Sequence, residues 1–475
     1  MDNLLEEVKI LFEQQLDTDS LLSLSKALQA EFKQHLISSP QCMLPSFNYH
    51  LPTGQEQGLY LALEVGGSNL WMALVELCGR DHGTDSMRIR HPLSWPIDNS
   101  VKQLQGHAFF DWLAERIEEM LTLEAANMIG NTELLRMGVA WSFPIDQTSI
   151  RSGNVLGMGK GFYCSDAVRG QDLGDLITGA YERAKLHIQL DAIVNDSNSA
   201  LLARAYIDPA TRLAVILGTG MNAAIHVPIT SLHPSKLARR PLPEDPSVTH
   251  VLTNTELSMH GKGIFPTTRW DVYLNDHHTL PNYQPFEYLV SGGYMGEIVR
   301  LIVVEATRKA NLFRGRLPSS LAVPYILNTK TLALIENDTS HDLRDTISLL
   351  HQWHPSSHKP TPRDAYFVQQ TVLSVTKRSI AYFATGIHAL ASLLQELECN
   401  TGLQDDLDRI SIGCDGSVIN KYPMYMERAQ EILDQMFTRC DSGGKSVILE
   451  KTQDSAVLGA GIAAALAANA HSSSA

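Results

Sequence analysis

The residues best suited to chemistry lie around two glycine turns. The first sits in residues 61–77, LALEVGGSNLWMALVEL. Gly66 and Gly67 can turn the chain and let a ligand approach the backbone, and Ser68 and Asn69 add polar groups at the tip. Glu64 is a carboxylate inside an otherwise apolar run just before the turn. Backbone N–H groups beside a carboxylate suit a metal-bound phosphate. The amides hold phosphate oxygens, and the carboxylate holds Mg2+, usually through water. The second turn, in LAVILGTGMNAAIHVPI (residues 213–229), carries Gly218, Thr219 and Gly220. Leu61 matches Leu213 and Gly66 matches Gly218, about 150 positions apart. One such hairpin is an ordinary turn. Two in register point to homologous halves facing each other across a nucleotide.

Other polar groups fall where α/β sheets place ligands. Residues 190–194 form a short apolar strand ending in Asn195-Asp196-Ser197, and a helix over 199–206 follows with Ser197 as its N-cap. Residues 410–418, ISIGCDGSV, repeat the strand-then-glycine pattern and carry Asp415, Gly416 and Ser417. Lys160 lies in a glycine- and serine-rich loop over 148–162, Glu256 near the start of 253–274, and Glu297 in a helix over 286–309. Taken singly, Glu297 suits a solvated helix face, Glu256 and Asn222 a turn, and Lys160 an exposed loop. The adjacent pair His277-His278 points in two directions, so no metal site is expected there.

The remaining elements must position these groups. Two short amphipathic helices fill the first 40 residues, with Leu4, Leu5, Val8, Leu11 and Phe12 on one stripe and Leu21, Leu22, Leu24, Leu28 and Phe32 on the next. A Pro- and Gly-punctuated linker runs over 43–58. A helix follows over 107–121, then a strand over 137–142. Residues 230–250 and 337–363 read as surface loops. A long helix over 366–397 is studded with Ser379, Ala381, Ala384, Gly386 and Ala389, which permit close packing. A helix over 425–436, a strand over 447–449, a small-residue helix over 456–468 and a frayed tail complete the chain.

Composition narrows the class. With 475 residues the chain can form two or three domains, and 44% hydrophobic against 19% charged residues is a globular balance. A net charge of −14 argues against nucleic acid or an anionic membrane as a general partner. The six cysteines include no CxxC pair, so neither a zinc knuckle nor a disulfide framework is expected. The acidic amphipathic N-terminus has neither signal-peptide nor mitochondrial character, and no apolar run would span a bilayer. A cytoplasmic protein is expected, with the nucleus open.

Several segments together resemble the eukaryotic, fungal-type hexokinase family, and the resemblance covers almost the whole chain. They are MLPSFNYHLPTGQEQGLYLALEVGGSN, SFPIDQTSIRSGNVLGMGKGF, IVNDSNSALLA, LGTGMNAA, NTELSMHGKGIFPTTRWD, FEYLVSGGYMGEIVR and IGCDGSVINKYP. The resemblance implies a two-lobed α/β fold of the actin-like ATPase (ribonuclease H-like) type with a hinge cleft. An N-terminal helical segment (1–54) would pack on the large lobe (195–475), with a small lobe over 55–194. It implies transfer of the γ-phosphoryl of MgATP to a sugar 6-hydroxyl, glucose or a related hexose, with ATP and Mg2+ as cofactors. Asp196 would be general base. Lys160 would bind sugar and stabilise charge, and Asp146, Gly159, Asn195, Asn222, Glu256 and Glu297 would complete the sugar site. Gly66, Gly67, Ser68, Asn69, Gly218, Thr219, Gly220, Asp415, Gly416 and Ser417 would bind ATP, and Glu64 the metal. A monomer or homodimer is expected, with room for a regulatory protein partner.

Four departures from the family pattern stand out. The first loop of the family reads D-x-G-G-T-N-x-R; here Glu64 replaces the aspartate and Trp71 the arginine. An arginine lost beside polyphosphate removes a charge-assisted contact that an indole cannot restore. Met158-Gly159-Lys160-Gly161-Phe162 stands for W-T-K-G-F, and Leu257, Ser258 and Met259 replace aromatic and small residues beside Glu256. A remodelled sugar pocket follows, for which N-acetylglucosamine is a candidate. Asp454-Ser455-Ala456-Val457-Leu458-Gly459 replaces the glycine-rich D-G-S-G-x-G. These changes also support a second expectation, a catalytically impaired, sugar-sensing regulatory protein.

Overall fold

The computed structural model describes residues 1–125, 134–158, 162–238, 248–353, 359–401, 408–440 and 445–473. Its strands are β1 (Leu44–Pro45), β2 (Gly58–Val65), β3 (Asn69–Leu77), β4 (Met87–Pro96), β5 (Leu135–Trp141), β6 (Ile145–Ser149), β7 (Ser152–Val155), β8 (Ile188–Val194), β9 (Thr211–Leu217), β10 (Met221–Pro228), β11 (His250–Asn254), β12 (Arg409–Asp415) and β13 (Ser446–Lys451). They form a five-stranded sheet, β4-β3-β2-β5-β8, a six-stranded sheet, β1-β11-β10-β9-β12-β13, and the hairpin β6-β7. In the first sheet β4, β3 and β2 are antiparallel, and β5 and β8 extend it in parallel. In the second, β11, β10 and β9 are antiparallel, and β12 and β13 extend it in parallel. The faint sequence duplication is thus a duplication of topology.

Strand alternation sorts the side chains of β2. Leu61, Leu63 and Val65 enter a core with Phe110, Leu113 and Ile117 of the helix Ala108–Ala125. Tyr60 and Ala62 enter a second core, made largely of alanines, with the helices Asp196–Ile207 and Ser455–Ser473. The last helix lies between the sheets at backbone distance. A Cβ on Gly138 of β5 would stand 1.9 Å from Ala460 O, and one on Gly459 would stand 2.0 Å from Ser199 O. Only glycine permits either approach.

The 40-residue helix Pro362–Thr401 is the spine of the other half. The helices Asp2–Glu13 and Thr18–Ser38 pack along it. Arg378, 1% exposed, makes a bidentate ion pair with Asp271 and lies 4.4 Å from the Phe12 ring centroid. A buried guanidinium with both carboxylate oxygens satisfied fixes three elements in one geometry.

Local patterning fell short in several places. The helix expected over 199–206 begins at Asp196, because Asn195, rather than Ser197, caps it by accepting Ser197 N–H. The loop expected over 148–162 contains β7, paired with β6. The loop expected over 337–363 contains the helix Arg344–Trp353, whose Leu350 is fully buried. The helix expected over 286–309 is two helices, Pro285–Val290 and Gly292–Lys309, broken at the extended Ser291. There Gly292 and Gly293 donate to the carbonyls of Gly218 and Thr219. Tertiary hydrogen bonds to the second glycine turn outweigh helical continuity.

Gly138→Ala and Gly459→Ala should each cost about 1–3 kcal/mol by overpacking the seam. Denaturant unfolding measures this, and an unchanged midpoint for both would show that the last helix is free to shift.

Candidate functional site

Four carboxylates converge where the last helix begins. Burial pushes Glu64 up from 4.5 to about 7, and the charges of Asp196, Asp415 and Asp454 add to the shift. Asp454, immediately before the helix, is also raised, by burial and then by Asp415. The negative charges that favour protonation of Glu64 make a field suited to a hard divalent cation held through water. The strand register explains part of this environment. Glu64 pairs directly with Trp71 across β2 and β3, so carboxylate and indole share one face, and Trp71 packs on the alanine-rich core.

Asp196 opens its helix, where the N-terminal backbone dipoles favour a carboxylate. Its Oδ1 accepts Ser197 N–H at 2.8 Å, and Ser142, at the end of β5, donates its hydroxyl to Oδ2 at 3.2 Å. Asn195 Oδ1 accepts both the Ser197 N–H and its hydroxyl.

A second group forms at the ends of β10 and β11. Asn222 Nδ2 donates to Asn254 Oδ1, and Asn254 Nδ2 donates to Glu256 Oε1 at 2.8 Å. Asn222 Oδ1 accepts the N–H groups of Ala223 and Leu257. Glu256 takes a left-handed backbone (φ 52°), held by its own N–H donating to Asn254 Oδ1. Burial pushes Glu256 up to about 7; the Asn254 hydrogen bond opposes this and the Asp196 charge adds to it. Asp196 is therefore close enough to be felt by Glu64 on one side and Glu256 on the other.

The two glycine turns are built alike and anchored differently. Gly66 donates to Asn69 O, and Ile97 N–H secures Ser68 O, which leaves Ser68 and Asn69 exposed and Gly67 half-buried at the tip. Gly218 donates to Gly220 O, while the carbonyls of Gly218 and Thr219 face the break before Gly292–Lys309. Ser291 Oγ adds a bond to Thr219 O. Gly218 lies against Ser417, which joins the second turn to the Gly416-Ser417 corner at the end of β12.

Two of the expected carboxylates are engaged by partners within the protein. Glu297 was expected at the sugar; instead its carboxylate is buried and held by Arg300 through Nε and Nη2, with Oε2 also accepting Tyr325 N–H. It pins the helix Gly292–Lys309 to the loop beyond. Glu287, ten positions earlier and across the helix break, is the carboxylate at the second turn, where Oε2 accepts Met221 N–H beside Asn222. The Ser291-Gly292-Gly293 interruption between the two glutamates was the available signal. Asp415 was expected at the nucleotide, but Oδ1 accepts from Gly416 N and Asn420 Nδ2, and Oδ2 accepts Ser455 N and Oγ. It fastens β12 to the start of the last helix.

Asp146 lies half-buried on β6, opposite Asn154, in a hairpin tied to β8 by Gln147 Nε2 donating to Ile193 O. Gly159 and Lys160 lie outside the described residues. Sequence reasoning did not single out Ser142 and Asn254, although they open the SFPID and NTELS segments and hydrogen-bond to Asp196 and Glu256.

Comparison with known proteins shows the family. Two hexokinase family models match, one over residues 7–206 and the other over 212–466. A hexokinase of Schwanniomyces occidentalis is 29% identical over 428 residues, covering 89% of this chain and 84% of that one. Hexokinase-1 of Spinacia oleracea is 30% identical over 435 residues, covering 90% and 82%. A solved hexokinase from Schistosoma mansoni, complexed with glucose, superposes with a TM-score of 0.81 at 25% identity, covering 98% of this chain and 99% of that one. The fold is the two-lobed, actin-like α/β fold expected from the sequence. The chain belongs to the hexokinase family and is a hexokinase-type phosphotransferase.

Proposed function

We propose that this protein transfers the γ-phosphoryl group of ATP to the 6-hydroxyl of a hexose, with Asp196 as general base. One observation carries the reading: Asp196 is the carboxylate whose charge reaches both Glu64, beside the first glycine turn, and Glu256, in the amide-linked group. A base between the phosphate side and the sugar side is what in-line transfer to a hydroxyl requires.

In this reading Ser142 and Ser197 hold the Asp196 carboxylate in one rotamer, so that it receives the hydroxyl proton as the phosphoryl group departs from ATP. Glu256, Asn222, Asn195 and Glu287 accept from or donate to the remaining hydroxyls. A carboxylate raised to about 7 by burial regains a partner when a sugar hydroxyl donates to it. Lys160, placed by the family resemblance alone, would meet charge at the transferring group. The N–H groups of the turns at Gly66–Asn69 and Gly218–Gly220, with the Gly416–Ser417 corner, would hold phosphates. Mg2+ would be held by Glu64, through water, and would neutralise charge on the phosphates during transfer. Asp415 and Glu297 serve as structural ties in this scheme. The lobes, 55–194 and 195–475 with the 1–54 segment on the larger, would close on sugar and exclude water. Among the described residues no helix is long and apolar enough to cross a membrane.

A second reading, a sugar-sensing protein with weak transfer, draws on the pairing of Glu64 with Trp71. Every influence that moves Glu64 raises it, and Trp71 brings no positive charge to the opposing position.

Asp196→Ala should lower kcat by roughly 10²–10⁴-fold while hexose binding, followed by calorimetry, persists. Turnover by wild type lost in this variant supports the kinase; a silent wild type with an active Trp71→Arg variant supports the sensor. Comparing kcat/KM for glucose, mannose, fructose and N-acetylglucosamine identifies the sugar, and strong glucose preference removes the acetamido candidate. Glu287→Gln should raise the hexose KM with little change in Tm. Glu297→Gln should lower Tm with little change in KM, and the reverse pattern would restore Glu297 to the sugar site. Folding raises the pKa values of Glu64 and Glu256 from 4.5 to about 7, so the native state holds extra protons between those values. Their contribution to stability of the unliganded protein is present below 4.5 and lost as pH rises through about 7. Glu64→Gln should flatten that decline in a Tm–pH series, and an unchanged slope would refute the assignment.

A further inference from the structure

Behind the Glu256 loop, away from the carboxylates at the last helix, lie two imidazoles and a thiol that the phosphotransfer scheme does not use. His35 is in the last turn of the helix Thr18–Ser38, Cys42 is in the loop before β1, and His260 follows the short turn Leu257–Met259. One ligand atom from each lies within 4.8 Å of the others. Cys42 is 4% exposed and His260 fully buried.

Hydrogen bonding leaves this group incomplete. His260 Nδ1 lies 3.1 Å from the Glu256 carbonyl, which can only accept, so that nitrogen carries the proton. Its Nε2 therefore presents a lone pair, and this atom is buried with no hydrogen-bond partner. His35 Nδ1 is likewise buried and unpartnered. Orphaned ring nitrogens at two positions facing one thiol are costly in a bare core and are accounted for by a bound cation.

We propose that His35, Cys42 and His260 form a binding site for a single zinc ion, with solvent in the fourth position. Two imidazoles and a thiolate are a borderline-to-soft donor set that favours Zn2+ over Mg2+. A tetrahedral zinc ion needs these atoms roughly 3.4–3.6 Å apart, so the three side chains draw together on binding. Binding displaces the Cys42 proton to solvent, and burial, which pushes that thiol up to about 11, is the cost the metal must offset. Lys236, the nearby cation, is engaged with the carbonyls of Cys42 and Met43. Glu31, one helical turn before His35, supplies a neighbouring negative charge while its Oε2 accepts Gly261 N–H. The His260 Nδ1–H bond to the Glu256 carbonyl is the outer-sphere contact that orients a metal-bound imidazole. Zinc would thereby tie the N-terminal helices to the loop carrying Glu256.

The full-length protein, stripped with chelator, should bind one equivalent of Zn2+ in calorimetry, with proton release and a raised Tm, while Mg2+ gives no such signal. Co2+ in place of zinc should produce a thiolate charge-transfer band in the near ultraviolet. Cys42→Ser should abolish the band and weaken Zn2+ binding at least tenfold, and His35→Gln should weaken it similarly. Absence of one-equivalent binding overturns the proposal. So does a wild type lacking the cobalt band, which is read without any variant. Neither readout involves phosphotransfer, so the outcome is independent of the proposed activity.

Discussion

The last helix runs at backbone distance from both halves of the molecule, and the rest of the site depends on that approach. Gly138 lets Ala460 meet β5, and Gly459 lets the same helix meet the carbonyl of Ser199. A wider seam would separate the five-stranded sheet from the helix that follows β8. Because it is narrow, Asp196 at a helix start, Asp415 at the end of β12 and Asp454 before the last helix all act on the charge of Glu64 from β2. Two helices, Asp196–Ile207 and Ser455–Ser473, begin there, and their N-terminal N–H groups lower the cost of gathering negative charge. Burial first, and the residual repulsion after it, raise the affinity of Glu64 for a proton.

The two hairpins show how a duplicated unit diverges under tertiary constraint. The second is fastened by the break at Ser291, which frees the N–H groups of Gly292 and Gly293 for the turn. The first has its Ser68 carbonyl tied to Ile97 and places Trp71 beside Glu64. Burying an indole on the alanine-rich core is favourable for packing, yet among the described residues no cation contributes to the Glu64 carboxylate. Stability and phosphate binding therefore pull in opposite directions at this position.

On the other side of Asp196, a chain of hydrogen bonds runs from Asn222 through Asn254 to Glu256 and on to His260. It holds Glu256 in a left-handed conformation that a non-glycine residue adopts only when its surroundings demand it. The chain also links the polar end of β10 to the N-terminal helices through Gly261 and Glu31.

The amino-acid sequence by itself determined the family, the duplicated strand-turn-strand units and the place of Asp196 at a strand end. Those features are local: glycine turns, apolar alternation and a polar cap are written in consecutive residues. It also marked Glu64 and Trp71 as departures, though not that they face each other. Only the tertiary structure placed Glu287 at the second turn and Glu297 against Arg300, because the helix break at Ser291 is caused by partners more than 70 positions away. Only it showed Asp415 tied to the start of the last helix, since Ser455 is distant in the chain. The grouping of His35, Cys42 and His260 was equally hidden, because no spacing rule covers ligands drawn from a helix end and two separate loops. Short-range patterns specify elements, whereas the assignment of a carboxylate or an imidazole depends on which remote group comes to satisfy it.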